Sequence, residues 1–445
     1  MTSTFTSLRD LFRLARKDKI AFWYALGEKK AALSYGDVLS RIEAFPLPEE
    51  TTIGLFLDQE IEILIALFAL VGKRRLVLLN PEDQPETLIA EIQATRIEKL
   101  YGSADLCKEF APYLHQKQQI TETEVLFFTS GTTSLAKAVM LTESSLLAAA
   151  RNGSSLLPLK QEDVLLSMLP LSHVFGFVCA LLWPLYCGAS VGLSRGRRMM
   201  FFDFAFFSPT ATTLVPQMAG FFLAKGLYNP ELKLILIGAG DCPDAVLQGI
   251  AKLGIRVSFG YGLTETSSGI ALSLGEEPRA FTICPDYQLR IAEDGEILVS
   301  SQTTLMKGYF EDEEATKAVL NGDVLHTGDL GYLDEQGRLH LSGRKKDTLV
   351  FNDGTKLYLP EYEAKLAAYL GEEADFAIGL DASDHITLAI FGPRDYKDET
   401  MAFNATQSRN RQIVKIIRLS RKLDRTKTGK IQRYKLPLDE EGERL

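Results

Sequence analysis

Thr52-Ile-Gly-Leu-Phe-Leu57 is followed by a helical run from Glu60 to Val71 and then by Leu76-Val-Leu-Leu79. Neither short run alternates apolar with polar, so neither face of the strand it predicts is meant for water. Continuous apolar strands joined through helices imply a parallel sheet covered on both faces. Thr87 to Ala94 reads as a further helix and Lys99-Leu-Tyr101 as a short strand. Val125 to Phe128, Thr213 to Val215, Leu234 to Ile237 and Arg256 to Phe259 read as more strands of the same kind. From Gln288 the character changes: Glu293-Asp-Gly295, Asn321-Gly322 and Asp334-Glu-Gln-Gly337 mark turns between short runs, which predicts a β-subdomain of hairpins. After Gly343 a small α+β unit with a basic end is expected. A chain of 445 residues exceeds one ordinary core. The fold expected is α/β, with doubly wound mixed sheets plus a β-subdomain over residues 1–345 and a small α+β domain over 346–445.

Composition narrows the chemistry only broadly. The chain is 46% apolar and 24% charged, as soluble enzymes are, and its net charge of -9 argues against a general nucleic-acid binder. Its five cysteines are scattered, with no C-x-x-C pair, which predicts a reduced, cytoplasmic protein without a disulfide framework or zinc site. No basic and apolar leader opens the sequence. Val174 to Leu193 carries no charge over 20 residues, enough to span a bilayer. It also contains Gly176, Pro184, Gly188 and Ser190, so a buried helix followed by a core strand is the expectation, without stable membrane insertion.

Several elements carry possible chemistry. In Val125-Leu-Phe-Phe-Thr-Ser-Gly-Thr-Thr-Ser-Leu-Ala-Lys137 an apolar strand runs into small hydroxylated residues and ends on a lysine. Backbone N–H groups and hydroxyls in such a loop can surround a polyphosphate, and the lysine adds charge. Alone, a polar surface loop explains it equally well. It is not the nucleotide P-loop, because Ala136 and Ala138 replace the required Gly and Ser or Thr. Phe259-Gly-Tyr-Gly-Leu-Thr-Glu-Thr266 places glycines beside Tyr261, whose face suits a purine, and offers Glu265 as a hard ligand for Mg²⁺. His326-Thr-Gly-Asp-Leu-Gly-Tyr332 sets Asp329 on a turn, where a carboxylate can accept ribose hydroxyls. Ser342-Gly-Arg-Lys-Lys-Asp347 and Leu423-Asp-Arg-Thr-Lys-Thr-Gly-Lys430 complete the series. Each has a bland reading as a turn or solvated surface; their joint occurrence does not.

Together these elements resemble the adenylate-forming superfamily of acyl-CoA synthetases, peptide-synthetase adenylation domains and luciferases. The resemblance extends over essentially the whole chain, adding Pro170-Leu-Ser-His-Val-Phe-Gly176 and Gly238-Ala-Gly240. It implies that Thr129, Ser130, Gly131, Thr132, Thr133 and Lys137 cradle the ATP phosphates. Glu265 would hold Mg²⁺ with Thr129 beside it, and Thr264 would lie near the α-phosphate. Tyr261 and Gly262 would flank adenine against Gly238, Ala239 and Gly240, while Asp329 and Arg344 grip the ribose. His173 would face the acid, Lys346 would be the hinge of a mobile C-terminal domain, and Lys430 would bridge the acid's carboxylate and ATP. The implied activity is ATP-dependent formation of an acyl-adenylate with release of pyrophosphate, then transfer to a thiol, coenzyme A first and an acyl carrier protein as the alternative. The run Arg409 to Lys435 holds eleven Lys or Arg against one Asp, and could steer an acidic carrier.

The chain also departs from the family. Its phosphate loop usually reads Thr-Gly-x-Pro-Lys-Gly, and here Ser134, Ala136 and Ala138 replace two glycines and a proline. That raises a catalytically silent nucleotide-binding module as a further alternative, against which Lys430, Glu265, Asp329 and Arg344 speak. Asp353-Gly354 replaces a glycine pair where the thiol arm would pass. Amino-acid-activating relatives carry Asp where Val174 stands, so an amino acid is disfavoured. Phe175, Phe177, Val215 and Pro216 point instead to an apolar pocket for a fatty or aryl acid.

Overall fold

The computed structural model describes residues 5–118, 120–129, 137–196, 198–274, 277–352, 355–425 and 431–445. The opening strand is Thr52–Phe56, buried at every residue, and it lies between the parallel strands Arg75–Leu79 and Lys99–Tyr101. The sheet continues through Val125–Phe128, parallel to Arg75–Leu79, then Ala138–Leu141 and Gly308–Tyr309, each antiparallel to its neighbour. The intervening helix Ile61–Leu70 buries every residue except Glu62, which is why its sequence shows no polar stripe.

A longer ladder of 14 strands forms the second layer among the described residues. Its middle is parallel: Ser190–Leu193, Val164–Ser167, Ala211–Leu214, Leu234–Ile237 and the first half of Arg256–Leu263. One side ends in the hairpin Ile20–Leu26 and Lys29–Ser34. The other becomes antiparallel through Ser268–Ser273, Phe281–Ile283, Leu339–Arg344, Val324–Leu333, Glu296–Ser300 and Gln288–Ile291. The turns at Gly295, Gly322 and Gly337 all have positive φ and all close hairpins, as the turn signals predicted.

Val174 to Leu193 resolves into π-helical turns at Gly176–Leu182, a short helix Trp183–Tyr186 and the core strand Ser190–Leu193. Among the described residues no helix is long and apolar enough to cross a membrane. Beyond the pair Thr348–Val350 and Lys356–Tyr358, the chain builds a four-stranded sheet, Asp375–Leu380, Ile386–Phe391, Ile413–Arg418 and Glu443–Arg444. Helices Leu359–Leu370 and Lys397–Asn404 supply Leu366, Leu370 and Phe403 to a core that also takes Ile378, Leu388 and Ile416.

Candidate active site

Strand Arg256–Leu263 changes partner halfway. Up to Phe259 it pairs parallel with Leu234–Ile237, and from Gly260 it pairs antiparallel with Ser268–Ser273, with an irregularity between Tyr261 and Gly262. At Gly262 the two runs nearly touch. A Cβ there would stand 1.8 Å from the Ser268 carbonyl oxygen, so only glycine fits. The turn Thr264–Thr266 follows, then Ser267 at φ 52° and Ser268 at φ 101°, left-handed values that non-glycine residues rarely take. Buried hydrogen bonds hold this strained turn: Ser267 Oγ donates to the Thr304 carbonyl at 2.8 Å and Thr266 Oγ1 to the Ser268 carbonyl at 2.9 Å.

Glu265 projects from that turn already oriented. Its carboxylate accepts from Tyr309 Oη at 2.7 Å, and its backbone carbonyl accepts from Met306 N–H at 2.8 Å. Burial, then the Glu265 charge, push the Tyr309 phenol above the ordinary tyrosine range, so it remains a donor. Lys137 Nζ lies 4.6 Å from the centroid of the Tyr309 ring, a cation–π distance. Thr129 N–H donates to the Lys137 carbonyl at 3.0 Å and closes the neck of the loop between them. Ser130, Gly131, Thr132, Thr133, Ser134 and Ala136 of that loop lie outside the described residues, as do Asp353, Gly354 and Lys430.

Asp329 and Arg344 face each other across one hairpin, and Arg344 Nε stands 2.8 Å from Asp329 Oδ1. Tyr261 Oη donates to Asp329 Oδ2 at 3.0 Å. Asp329 is 4% exposed and Tyr261 7%, so these two are shielded from solvent, while Arg344 is partly exposed. Burial first, and the Asp329 carboxylate second, raise the Tyr261 phenol well above its usual range. Thr327 Oγ1 accepts from Asp329 N–H at 3.0 Å and donates to the Ile297 carbonyl at 2.7 Å, which fixes the turn. Desolvation first and the Arg344 charge second lower the pKa of Lys346, against the opposing pull of Asp347, Asp329 and Glu265.

Gly238 extends the parallel ladder by donating to the Leu214 carbonyl at 3.2 Å. The Phe175 ring closes over it, 2.8 Å from where a Cβ would be. Ala239 has φ 63°, and Gly240 packs toward Pro216. Arg279 clamps the next turn, reaching Asp241 Oδ1 at 2.7 Å, Asp244 Oδ1 at 3.0 Å and the Cys242 carbonyl at 2.8 Å. His173 is exposed on the turn that starts at Pro170, two residues before Phe175.

The structure thus joins Lys137 to Glu265 through Tyr309, and Tyr261 to Arg344 through Asp329. Tyr309 and Arg279 were not singled out in the sequence, and Thr327 entered only as a member of the Asp329 motif. A lone Tyr after Gly308 carries no spacing signal, and its role depends on Gly308–Tyr309 pairing with Ala138–Leu141 from another part of the chain. Tyr358 also escaped notice; its ring covers Gly343, where any Cβ would stand 2.2 Å from it.

The AMP-binding enzyme family profile matches residues 58–310. The 2-succinylbenzoate–CoA ligase of Bacillus mycoides (strain KBAB4) is 30% identical over 278 residues, 58% of this chain and 57% of that enzyme. The chain therefore matches little more than half the length of that relative. The ligase of the same name from Bacillus cytotoxicus is 30% identical over 393 residues, 80% of this chain and 79% of its own. Among solved structures, the O-succinylbenzoate coenzyme A synthetase of Bacillus subtilis shares the fold. Bound to ATP and magnesium ion, it superposes with a TM-score of 0.78 at 21% identity, covering 97% of this chain and 99% of its own. Bound to the acyl-adenylate intermediate, it gives a TM-score of 0.80 at 22% identity, over 98% and 99%. By the extent of both the profile match and the longer alignment, the chain belongs to the AMP-binding enzyme family.

Proposed function

We propose that the chain activates a carboxylic acid with ATP, forming an acyl-adenylate and pyrophosphate, and then transfers the acyl group to coenzyme A. The observation that carries this reading is the pairing of two preset carboxylates around one strand. Glu265 is held by Tyr309 beside Lys137, and Asp329 is held by Tyr261 and Arg344. The first suits a polyphosphate and its metal, and the second suits a ribose.

A carboxylate resists thiol attack because its oxygen is a poor leaving group. Its oxygen attacks the α-phosphorus, the bond to the β-phosphate oxygen breaks, and pyrophosphate leaves. The thiolate then attacks the acyl carbon and AMP departs. Negative charge gathers at both ends of the first step, so cations and oriented dipoles do most of the work. In this assignment Thr129, the loop after it and Lys137 hold the phosphates. Tyr261 and Gly262 lie along adenine with Gly238, Ala239 and Gly240, Thr264 sits near the α-phosphate, and His173 faces the acid. Glu265 fits Mg²⁺, a hard cation that takes few protein carboxylates and keeps phosphate oxygens, and Thr129 would lie beside it. When bound, that ion would neutralise charge on the departing pyrophosphate. Residues 1–345 would act as the nucleotide- and acid-binding domain and 346–445 as the mobile one, pivoting at Lys346 and carrying Lys430. The five cysteines are all free thiols, in keeping with a cytoplasmic protein.

Coenzyme A is the acceptor that the relatives' names support. The basic run offers less to a carrier protein than its sequence promised. Lys415, Arg418, Arg421, Arg425, Arg433 and Lys435 pair with Asp381, Asp395, Asp424, Asp375, Glu363 and Asp424. Much of its charge is answered within the chain itself.

The direct test is pyrophosphate release over a panel of acids, with ATP and Mg²⁺ present. AMP and pyrophosphate should appear only with a productive acid. ADP and phosphate in their place, or no acid that supports release, would overturn the reading.

A small apolar cavity beside the site supports an acid with an apolar remainder. Val178, Cys179, Trp183, Gly269, Leu272 and Cys284 line it, and no charged side chain does. The second carboxylate of 2-succinylbenzoate would be stranded there, at a desolvation cost of several kcal/mol, roughly. A Cβ on Gly269 would meet nothing within 4 Å, so a side chain can start there without a clash. Gly269→Val should therefore raise KM for bulky acids about tenfold or more while small acids and ATP are handled as before. Equal losses for large and small acids would show that the cavity does not hold the acid.

A further inference from the structure

We infer that the aromatic face formed by helices Met200–Phe207 and Pro216–Lys225 docks the protein on an anionic membrane surface. Phe202 is 62% exposed, Phe221 44%, Phe201 39% and Met199 38%. The Phe201 and Phe221 rings stand 5.3 Å apart and join the two helices, and Met199 and Phe202 are close to Phe201 in the chain. The opposite faces are fully engaged: Phe204, Phe207 and Phe222 are buried, with Phe204 and Phe222 packed edge to face at 5.2 Å. The exposed rings are thus surplus to the core. Contiguous exposed apolar surface of this kind marks an interaction site rather than ordinary scatter.

Charge selects the partner. In a chain of net charge -9, residues 195–225 hold Arg195, Arg197, Arg198 and Lys225 against Asp203 alone. Asp203 is buried and neutralised: Arg195 Nε donates to it at 2.6 Å and Ser194 Oγ at 2.7 Å. Arg198 and Lys225 are exposed at the margins of the patch, and Lys30 from the neighbouring hairpin donates to the Phe207 carbonyl at 3.2 Å. Phenylalanine and methionine rimmed by Lys and Arg, without an exposed acid within these two helices, is the composition of an interfacial membrane face. A second copy docked face to face about a two-fold axis would bring its own basic patch against this one.

The face is also close to the candidate site. Helix Pro216–Lys225 begins at Pro216, which packs against Gly240, and Phe221 follows about 8 Å further along the axis. Docking here would hold the nucleotide site beside the bilayer surface. The inference does not rest on the proposed activity, because binding is read without substrate.

The experiment is co-sedimentation of the full chain with vesicles of phosphatidylcholine alone and of equal phosphatidylcholine and phosphatidylglycerol, with sedimentation equilibrium in parallel. Wild type should bind the anionic vesicles and prefer them to the neutral ones. Phe202→Ser with Phe221→Ser should lower that binding about tenfold or more, with an unchanged Tm as the sign of an intact fold. Arg198→Glu with Lys225→Glu should abolish the preference between the two vesicles. No vesicle binding by wild type overturns the inference. So does a dimer in solution that the Phe202 and Phe221 substitutions dissociate while vesicles bind neither form, since a second copy would then be the occupant.

Discussion

Replacing Asp329 by Ala should reduce kcat/KM for ATP by about two to four orders of magnitude. Under the proposed assignment the carboxylate accepts ribose hydroxyls while Arg344 and Tyr261 hold it from behind at 2.8 and 3.0 Å. Each hydrogen bond to a charged group contributes about 1.5–3 kcal/mol, and about 1.4 kcal/mol is a factor of ten. Two lost ribose contacts give the expected range. The substitution also leaves the buried Tyr261 hydroxyl without its acceptor, costing about 1–3 kcal/mol of stability, so a fall in activity alone would be ambiguous. Nucleotide analogues separate the two effects. Wild type should discriminate strongly against 2′-deoxy- and 3′-deoxy-ATP; Asp329→Ala should use them about as poorly as ATP itself. Asp329→Asn, which keeps the shape but loses the charge facing Arg344, should fall between. A variant that is thermally weakened yet still rejects deoxy-ATP as wild type does would make Asp329 a structural residue only.

The fold was legible wherever a pattern is local. The apolar runs at Thr52, Leu76, Val125 and Leu234 became parallel strands because burial on both faces leaves no polar position to mark. The three glycine turns became hairpins because their backbone demands positive φ. Less legible were the pieces whose role comes from distant partners. Ala138–Leu141 and Gly308–Tyr309 pair although they lie far apart in the chain, and Ile20–Leu26 joins a sheet through Ser190–Leu193. The site divides along the same line. Motif residues such as Glu265, Asp329 and Arg344 stood out by their glycine-rich neighbours. Tyr309 and Arg279 did not, because orienting a neighbour requires a contact and leaves no trace in spacing. The carrier-protein reading shows the reverse hazard. Eleven basic residues look like a docking surface in sequence, but acids contributed by other strands and helices neutralise many of them, among them Asp375, Asp381, Asp395 and Glu363.

Lys430→Ala should lower pyrophosphate release by roughly three orders of magnitude, yet leave conversion of supplied acyl-adenylate to the thioester nearly intact. Under the proposed mechanism the asymmetry follows from charge. In the first step an anionic carboxylate must approach a polyanion, and a cation placed between them lowers a repulsion that exists only until the mixed anhydride forms. In the second step the adenylate is already made, pyrophosphate has gone, and a lysine at that position would stand where the thiol must arrive. A residue needed by one half-reaction and in the way of the other suits a segment that moves, and Lys346 is its proposed pivot. Hence Lys346→Pro, which restricts the backbone at the pivot, should slow thioester formation more than adenylation, the opposite pattern to Lys430→Ala. Measuring both half-reactions for both variants decides the matter. Equal losses in the two steps for Lys430→Ala would remove it from its assigned role, and a Lys346→Pro variant that impairs only adenylation would place the pivot elsewhere.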